Sequence, residues 1–115
     1  GDVYKRQVQF IEKIHQVIEE NLDNSDFNID TIASTIGLSR SAFFKKLKSL
    51  TGFAPVDLVK EIRLNKSIEL IKNSDMSISE IAFAVGFKDS GYFSKCFRKK
   101  YDQTPREYMN EWRKG

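Results

Sequence analysis

The sequence predicts an all-α fold of about seven helices, arranged as two helix-turn-helix subdomains joined by a long connector helix. Apolar residues recur at spacings of three and four, which is the periodicity of amphipathic helices. No segment shows the alternation and hairpin turns that are typical of β-strands. One short unit also occurs twice: IASTIGLSRSAFFKKLKSLTGFAP begins at Ile32, and IAFAVGFKDSGYFSKCFRKKYDQTP begins at Ile81. The 115 residues suit one domain with a modest core.

The first helix is predicted from about Val8 to Leu22, where apolar residues recur at helical spacing before a cluster of turn formers. Residues 1–7 do not share this periodicity. Their DVYKRQ stretch resembles the translation of a transposase adapter used in sequencing libraries. We therefore interpret residues 1–7 as a non-native segment, which resequencing of the locus would test, and assign the domain to residues 8–113.

The first helix-turn-helix unit is predicted over about residues 29–52. A short amphipathic helix ends at Gly37, because glycine readily adopts the left-handed conformation found at helix C-termini. Ser39 can cap the N-terminus of the following helix. In that helix Phe43 and Leu47 are four residues apart and therefore share one face.

A longer connector helix is predicted over about residues 55–73. Pro55 suits its first position, since proline has no amide hydrogen to lose there. The apolar residues of the connector form two stripes, which is expected of a helix that packs against two small units. The stripes are Leu58, Val59 and Ile62, and then Leu64, Ile68 and Ile71.

The second unit is predicted over about residues 78–101, with either Ser77 or Ser79 as the cap of its short helix. It aligns with the first unit at an offset of 49 residues through the glycine turn, where Gly86 matches Gly37, and at an offset of 50 afterwards. Phe93 and Phe97 match Phe43 and Leu47, and Thr104 and Pro105 begin a last helix. In this pattern the short helix packs across the second one and leaves the polar face of the second helix outward.

Two clusters of positive charge coincide with the predicted second helices. The chain has a net charge of +3, but residues 39–50 hold four basic residues and no acid, and residues 88–101 hold five basic residues and one acid. Basic clusters of this kind favour a polyanionic partner. The connector of about 18 residues would span about 27 Å, while successive major grooves lie about 34 Å apart. One monomer is therefore expected to reach two adjacent grooves of double-stranded DNA.

Composition excludes several other classes. No apolar stretch is long enough to span a membrane, and a secretory signal is absent, so no membrane contact by this domain is expected. The single Cys96 cannot form an internal disulfide, which favours a cytoplasmic location. Catalysis is not expected, because His15 and Cys96 lie far apart in sequence and neither a metal-ligand cluster nor a phosphate loop is present. No cofactor or metal is therefore predicted.

The quoted repeat, the EIRLNKSIELI connector and the stretch ISEIAFAVGFKDSGYFSKCFRKKYDQTPREY together resemble the DNA-binding domain of the AraC/XylS family of bacterial transcription regulators. The resemblance covers residues 8–113, and the first unit is further similar to the C-terminal output domain of hybrid two-component regulators. It implies sequence-specific DNA binding that regulates transcription, with RNA polymerase and upstream sensor kinase and receiver modules as further partners. Asp102 departs from the family, which usually has glycine there, so we expect local backbone strain.

The resemblance also implies which side chains contact DNA. The positions that match base-reading residues of the family are Arg40, Ser41, Phe44 and Lys45 in the first unit and Ser90, Gly91, Tyr92 and Lys95 in the second. Phosphate contacts are expected from Ser39, Lys48, Ser79, Arg98, Lys99 and Lys100.

Several assignments keep an alternative. Phe44 either packs on a thymine methyl group or is partly buried against the first helix. Cys96 is interpreted as a small buried hydrophobe, with a redox switch as the alternative. Arg63 is interpreted as structural, tying the two units together or pairing with Glu61 or Glu69 nearby, rather than as a DNA contact. His15 is expected at the surface.

The alternative function is a helical protein–protein interaction module that binds its partner through Trp112, Tyr108 and the connector helix. Helix-pair solenoids of that kind need three or more copies, whereas this chain has two.

Overall fold

The structure is a computed structural model that describes residues 1–24 and 26–113. Within those residues it contains seven α-helices and no strand, which confirms the predicted fold class. The helices are α1 Asp2–Glu20, α2 Ile29–Ile36, α3 Arg40–Thr51, α4 Pro55–Asn73, α5 Ile78–Ala84, α6 Ser90–Tyr101 and α7 Pro105–Trp112.

The chain divides into two compact units. Unit 1 comprises Gly1–Asn21 and Asp26–Ile62, and unit 2 comprises Leu22–Ser25 and Arg63–Gly115. Unit 1 therefore holds α1, α2, α3 and the first part of α4, while unit 2 holds the rest of α4 with α5, α6 and α7. The connector runs over residues 55–73, as the sequence predicts.

In unit 1, α1 and α2 pack against each other and α2 packs against α3. Phe43 and Leu47 of α3 are completely buried. The ring of Phe10 on α1 meets the ring of Phe43 edge-on, with 6.5 Å between centroids. Edge-to-face aromatic pairs of this kind add to the stabilisation gained by burying apolar area. This packing fixes which face of α3 points inward.

Unit 2 repeats the arrangement with a more aromatic core. Phe93 and Phe97 of α6 are completely buried, and their centroids lie 5.8 Å apart. Phe87 packs on Phe93 at 5.3 Å, and Tyr108 of α7 packs on Phe97 at 5.8 Å. Cys96 is also buried on α6, in keeping with its interpretation as a small hydrophobe. The inward face of α6 is therefore fixed by aromatic packing.

The turn between the two helices of each unit has the same backbone geometry. Gly37 has φ +86° and Gly86 has φ +97°, both in the left-handed region. The next amide closes the turn in each copy: Leu38 N–H donates to Ala33 O and Phe87 N–H donates to the matching carbonyl, both at 2.9 Å. These bonds follow the Schellman pattern, which satisfies carbonyl groups at a helix C-terminus.

The N-cap residues of α3, α5 and α7 agree with the sequence predictions, and they decide between Ser77 and Ser79 as the cap of α5. Ser77 is the cap of α5 and forms a reciprocal capping box with Glu80, so Ser79 lies inside the helix instead. Those hydrogen bonds from Ser77 hold the pKa of Glu80 below its ordinary value. Thr104 caps α7 in the same way, with Pro105 at the first helical position.

Two expectations about α1 need correction. The helix begins at Asp2 and not near Val8, so residues 2–7 are helical, and it ends at Glu20 instead of Leu22. Residues 2–6 are exposed, with Val3 and Tyr4 68% and 71% accessible. An exposed helical segment needs no apolar stripe, which is why hydrophobic periodicity does not detect it. The proposed non-native origin of residues 1–7 is a separate matter and stays a prediction.

Arg63 has a structural role within unit 2. Its Nη1 donates to Gly86 O at 2.8 Å and its Nη2 donates to Asn24 O at 3.3 Å. Burial lowers the pKa of this guanidinium. Glu69, one of the glutamates considered as a partner, forms an ion pair with Lys66 at 3.2 Å. Arg63 therefore links the carbonyl group of the Gly86 turn to that of Asn24 within unit 2. The prediction that it ties the two units together stays untested.

The backbone at Asp102 matches the expectation of strain. Asp102 ends α6 with φ +62°, and it is the one non-glycine residue with positive φ among the described residues. Gly52, its counterpart in unit 1, has φ +80°. A non-glycine residue in this region costs on the order of 1 kcal/mol, and aspartate tolerates it better than most.

Alanine substitution at the two turn glycines should separate their roles. We expect Gly37→Ala to cost about 1 kcal/mol of unfolding free energy, because the left-handed conformation disfavours a Cβ although nothing lies within 4 Å of it. Gly86→Ala should cost about 3 kcal/mol, since its Cβ would also overlap Leu22 O and the Arg63 guanidinium. Chemical denaturation of both variants measures this. Equal losses would contradict the close packing described for the Gly86 turn.

Candidate nucleic-acid interface

The outward side of α3 carries the first group of predicted DNA contacts. We call Arg40, Ser41, Phe44, Lys45 and Lys48 the first basic face. All five side chains are exposed. Phe43 and Leu47 point into the core between them, so the helical period places these five on the solvent side. Ser39 begins the helix, and its Oγ accepts a hydrogen bond from Ala42 N at 3.2 Å.

Arg40 has an acidic neighbour within unit 1. Its Nη1 lies 3.4 Å from the carboxylate of Asp30, and the two side chains are 69% and 64% exposed. An exposed ion pair of this kind contributes between zero and about 1 kcal/mol. Arg40 can therefore exchange Asp30 for a phosphate or a guanine edge at small cost.

Phe44 is the apolar member of the first basic face. Its side chain is 47% exposed, whereas the neighbouring Phe43 is fully buried. Phe44 is therefore accessible to a partner, although it lies beside a fully buried residue. A partly exposed aromatic ring on a basic helix suits apolar contact with a thymine methyl group.

The outward side of α6 carries the second group. We call Ser90, Gly91, Tyr92, Lys95, Arg98, Lys99 and Lys100 the second basic face. Tyr92 is 51% exposed, and its ring also contacts Phe87 at 6.0 Å between centroids. Gly91, Lys95, Arg98 and Lys99 are exposed as well, while Ser90 and Lys100 are half-buried.

Lys100 is less open than the other basic residues predicted to contact phosphate. Its Nζ lies 5.4 Å from the centroid of the Tyr101 ring, and burial lowers the pKa of its ammonium group. Lys48, Arg98 and Lys99 are exposed. These three cations suit phosphate contact better than Lys100 does.

The two serines that are predicted to contact phosphate differ in their surroundings. Ser39 is exposed, and its oxygen is already the acceptor that caps α3. Its hydroxyl hydrogen can still be donated, since a hydroxyl both donates and accepts. Ser79 is exposed in the first turn of α5, where Ser77 supplies the cap.

Sequence reasoning missed two polar residues that organise unit 2. Asp89 caps α6, and aspartate directly before a helix is a recognised signal that could have identified it. Arg113 donates to Ile71 O at 3.1 Å and to Met76 O at 2.7 Å. Its acceptors lie some forty residues earlier in the chain, so no local pattern signals this contact.

The chemistry available at both faces is that of hydrogen-bond donation and positive charge. Among residues 1–24 and 26–113, no group of histidine, cysteine and acidic side chains is arranged to hold a metal ion. None of the helices described there is long and apolar enough to cross a bilayer. Each unit presents one helix, α3 or α6, whose inward side is apolar and whose outward side is basic.

Two repeated turns, each followed by a helix with a basic outward side, define a double helix-turn-helix domain. Comparison with known proteins gives the same class. Residues 32–111 match the family described as "Helix-turn-helix domain". The chain belongs to the AraC-type family, whose members are DNA-binding domains of transcriptional regulators and not enzymes.

Three similar proteins illustrate the family. The chain is 38% identical over 104 residues to histidine kinase P4 of Formosa agariphila; the match covers 90% of this chain and 8% of that protein. It resembles the C-terminal domain of the two-component response regulator YesN of Fusobacterium nucleatum, with a TM-score of 0.78, 31% identity and coverage of 85% and 95% of the two chains. The DNA-binding domain of the global transcriptional factor AdpA, solved in complex with a target DNA, gives a TM-score of 0.82 at 28% identity, covering 90% and 92%.

The end of α6 contains a tyrosine whose ionisation should report on folding. Burial, with a smaller contribution from Tyr108, raises the pKa of Tyr101 to about 12, and its hydroxyl donates to Asn65 Oδ1 at 3.0 Å. The unfolded chain would ionise this group near pH 10.

Between about pH 10 and 12 the folded domain should therefore hold a proton that the unfolded chain has lost, so stability should fall as the pH rises through this range. Chemical denaturation of Tyr101→Phe across that range should show a shallower fall, whereas Tyr4→Phe at an exposed site should behave as the parent domain does. If the stability of the parent domain and of Tyr101→Phe changed identically with pH, the raised pKa of Tyr101 would be contradicted.

Proposed function

We propose that this chain binds double-stranded DNA sequence-specifically, with α3 and α6 as recognition helices in adjacent major grooves. The observation that carries the proposal is the repeated turn, which leaves the basic side of each second helix exposed while the apolar side is buried. A major groove admits one α-helix. Arg40, Ser41, Phe44 and Lys45 would read bases in the first unit. Ser90, Tyr92 and Lys95 would do so in the second, where Gly91 occupies a reading position without a side chain.

The phosphate contacts would come from the margins of the two basic faces. Lys48, Arg98 and Lys99 are exposed cations and would position each helix without reading sequence. Ser39, Ser79 and Lys100 would contribute further contacts. The solved complex of the similar AdpA domain with a target DNA supports this use of the fold.

The wider role we propose is that of an output domain in a two-component signalling protein that acts in the cytoplasm. Two similarities support it: histidine kinase P4 and the response regulator YesN both contain a domain like this one. Sensor kinase and receiver modules would then lie elsewhere in the full-length protein. RNA polymerase would be a further partner of the DNA-bound domain.

A protein-binding role is the second candidate, and one observation favours it. Trp112 is 53% exposed at the end of α7. Its ring stacks on Tyr108 at 6.2 Å, and Lys72 Nζ lies 4.3 Å from its centroid. Exposed aromatic residues are common at protein interfaces. This surface would require a partner protein and would leave both basic faces unused.

Selection from a random-sequence duplex pool at several salt concentrations tests the main proposal. We expect binding that weakens steeply with salt, because phosphate contacts release counterions, together with an enriched sequence spread over about two helical turns. A steep salt dependence without an enriched sequence would limit the domain to phosphate binding. Absence of binding even at low salt would refute the proposal and favour the protein-binding role.

Two lysine substitutions on α3 should separate base reading from phosphate contact. Lys48→Ala should weaken binding to every sequence and reduce the slope of log affinity against log salt by about 1. Lys45→Ala should change the preferred bases, with a loss of about 1 kcal/mol on the selected site. Lys13→Ala, at an exposed site on α1, is the matched control. Equal loss of affinity for all sequences in both α3 variants would show that Lys45 does not read bases.

A further inference from the structure

The two recognition helices differ in the residue that caps their N-terminus. Ser39 caps α3 through one hydrogen bond from Ala42 N at 3.2 Å. At the matching place before α6 stands Asp89, whose Oδ1 accepts from Gly91 N at 2.7 Å and from Tyr92 N at 3.3 Å. Both caps are exposed. A neutral hydroxyl at one helix start therefore corresponds to a carboxylate at the other.

The carboxylate of Asp89 lies beside the space that a side chain at position 91 would occupy. A Cβ built on Gly91 would come within 3.1 Å of Asp89 Oδ1, which is tighter than ordinary van der Waals contact. Gly91 therefore leaves room for this carboxylate. Both cap bonds end on Oδ1, so the second oxygen, Oδ2, can accept from a partner without disturbing the cap.

The charge of this cap makes the two helix starts electrostatically different. The first basic face begins with Arg40, which is 69% exposed, directly after the neutral Ser39. The second begins with a half-buried Ser90, directly after the carboxylate of Asp89. A carboxylate here is repelled by DNA phosphates, so its approach is favourable only where a base edge offers it a donor.

We propose that Asp89 is a specificity-determining residue of α6, an inference that rests on the proposed function. Its carboxylate accepts a hydrogen bond from the N4 amino group of a cytosine in the major groove. Adenine is the less suitable donor, because its N6 amino group lies between two acceptors, its own N7 and thymine O4. The cytosine amino group has one acceptor beside it, guanine O6. Position 91 has no side chain to read a base, and the carboxylate of Asp89 takes over that role.

Asp89→Ser is the matched test, because it copies the cap of α3 and keeps a good N-cap residue. In selection from a random duplex pool, the variant should lose a cytosine preference at one position, on the order of fivefold. Its affinity for non-selected duplex at low salt should rise about threefold, since one negative charge near the phosphates is removed. Thermal unfolding should be close to that of the parent domain. Asp89→Asn should replace cytosine by adenine at the same position, because asparagine pairs with N6 and N7 of adenine.

Two outcomes would overturn the inference in distinguishable ways. If the parent domain selects a sequence and Asp89→Ser selects the same bases at every position, Asp89 only caps the helix and the proposed function stands. If the parent domain binds no duplex, the proposed function and this inference fail together.

Discussion

A left-handed glycine followed by a buried pair of large apolar residues determines how each recognition helix is presented. The glycine reverses the chain within one turn, because its φ near +90° is accessible at low cost only without a Cβ. The pair, Phe43 and Leu47 in unit 1 and Phe93 and Phe97 in unit 2, then fixes the rotation of the second helix about its own axis. Once that rotation is set, the helical period alone decides which residues face outward.

The two copies keep this frame and differ in what they display. Unit 1 presents Arg40 and a half-exposed Phe44 near the start of its helix, whereas unit 2 presents a carboxylate cap and a glycine. The Gly86 turn is also held more tightly than the Gly37 turn, because Arg63 donates to Gly86 O and a Cβ there has no room. The two units therefore share their core packing and differ in the charge and size of their outward faces.

Most of this fold could be predicted from the sequence, because the determinants are local. Glycine stops, serine and threonine caps, and prolines at helix starts all act within a few residues, and the connector matches its predicted bounds. Features that depend on distant groups could not be predicted. Arg63 and Arg113 bond to backbone carbonyl groups 23 to 43 residues away, and the exposed start of α1 has no apolar pattern to signal it. Of the candidate site, the exposure of Phe44, Lys45 and Lys48 follows from helical spacing. The partial burial of Lys100 follows from the same spacing, since Lys100 lies three residues after the buried Phe97.

The measurement that tests the central claim most directly is a nuclear magnetic resonance titration of the isotope-labelled domain with its selected duplex. The claim is that the outward sides of α3 and α6 are the DNA-contacting surfaces. We predict that the changes in amide chemical shift will concentrate on residues 39–48 and 89–99. The changes in both units should appear at the same duplex concentration. Shifts concentrated on α7 around Trp112, with both recognition helices unaffected, would contradict it.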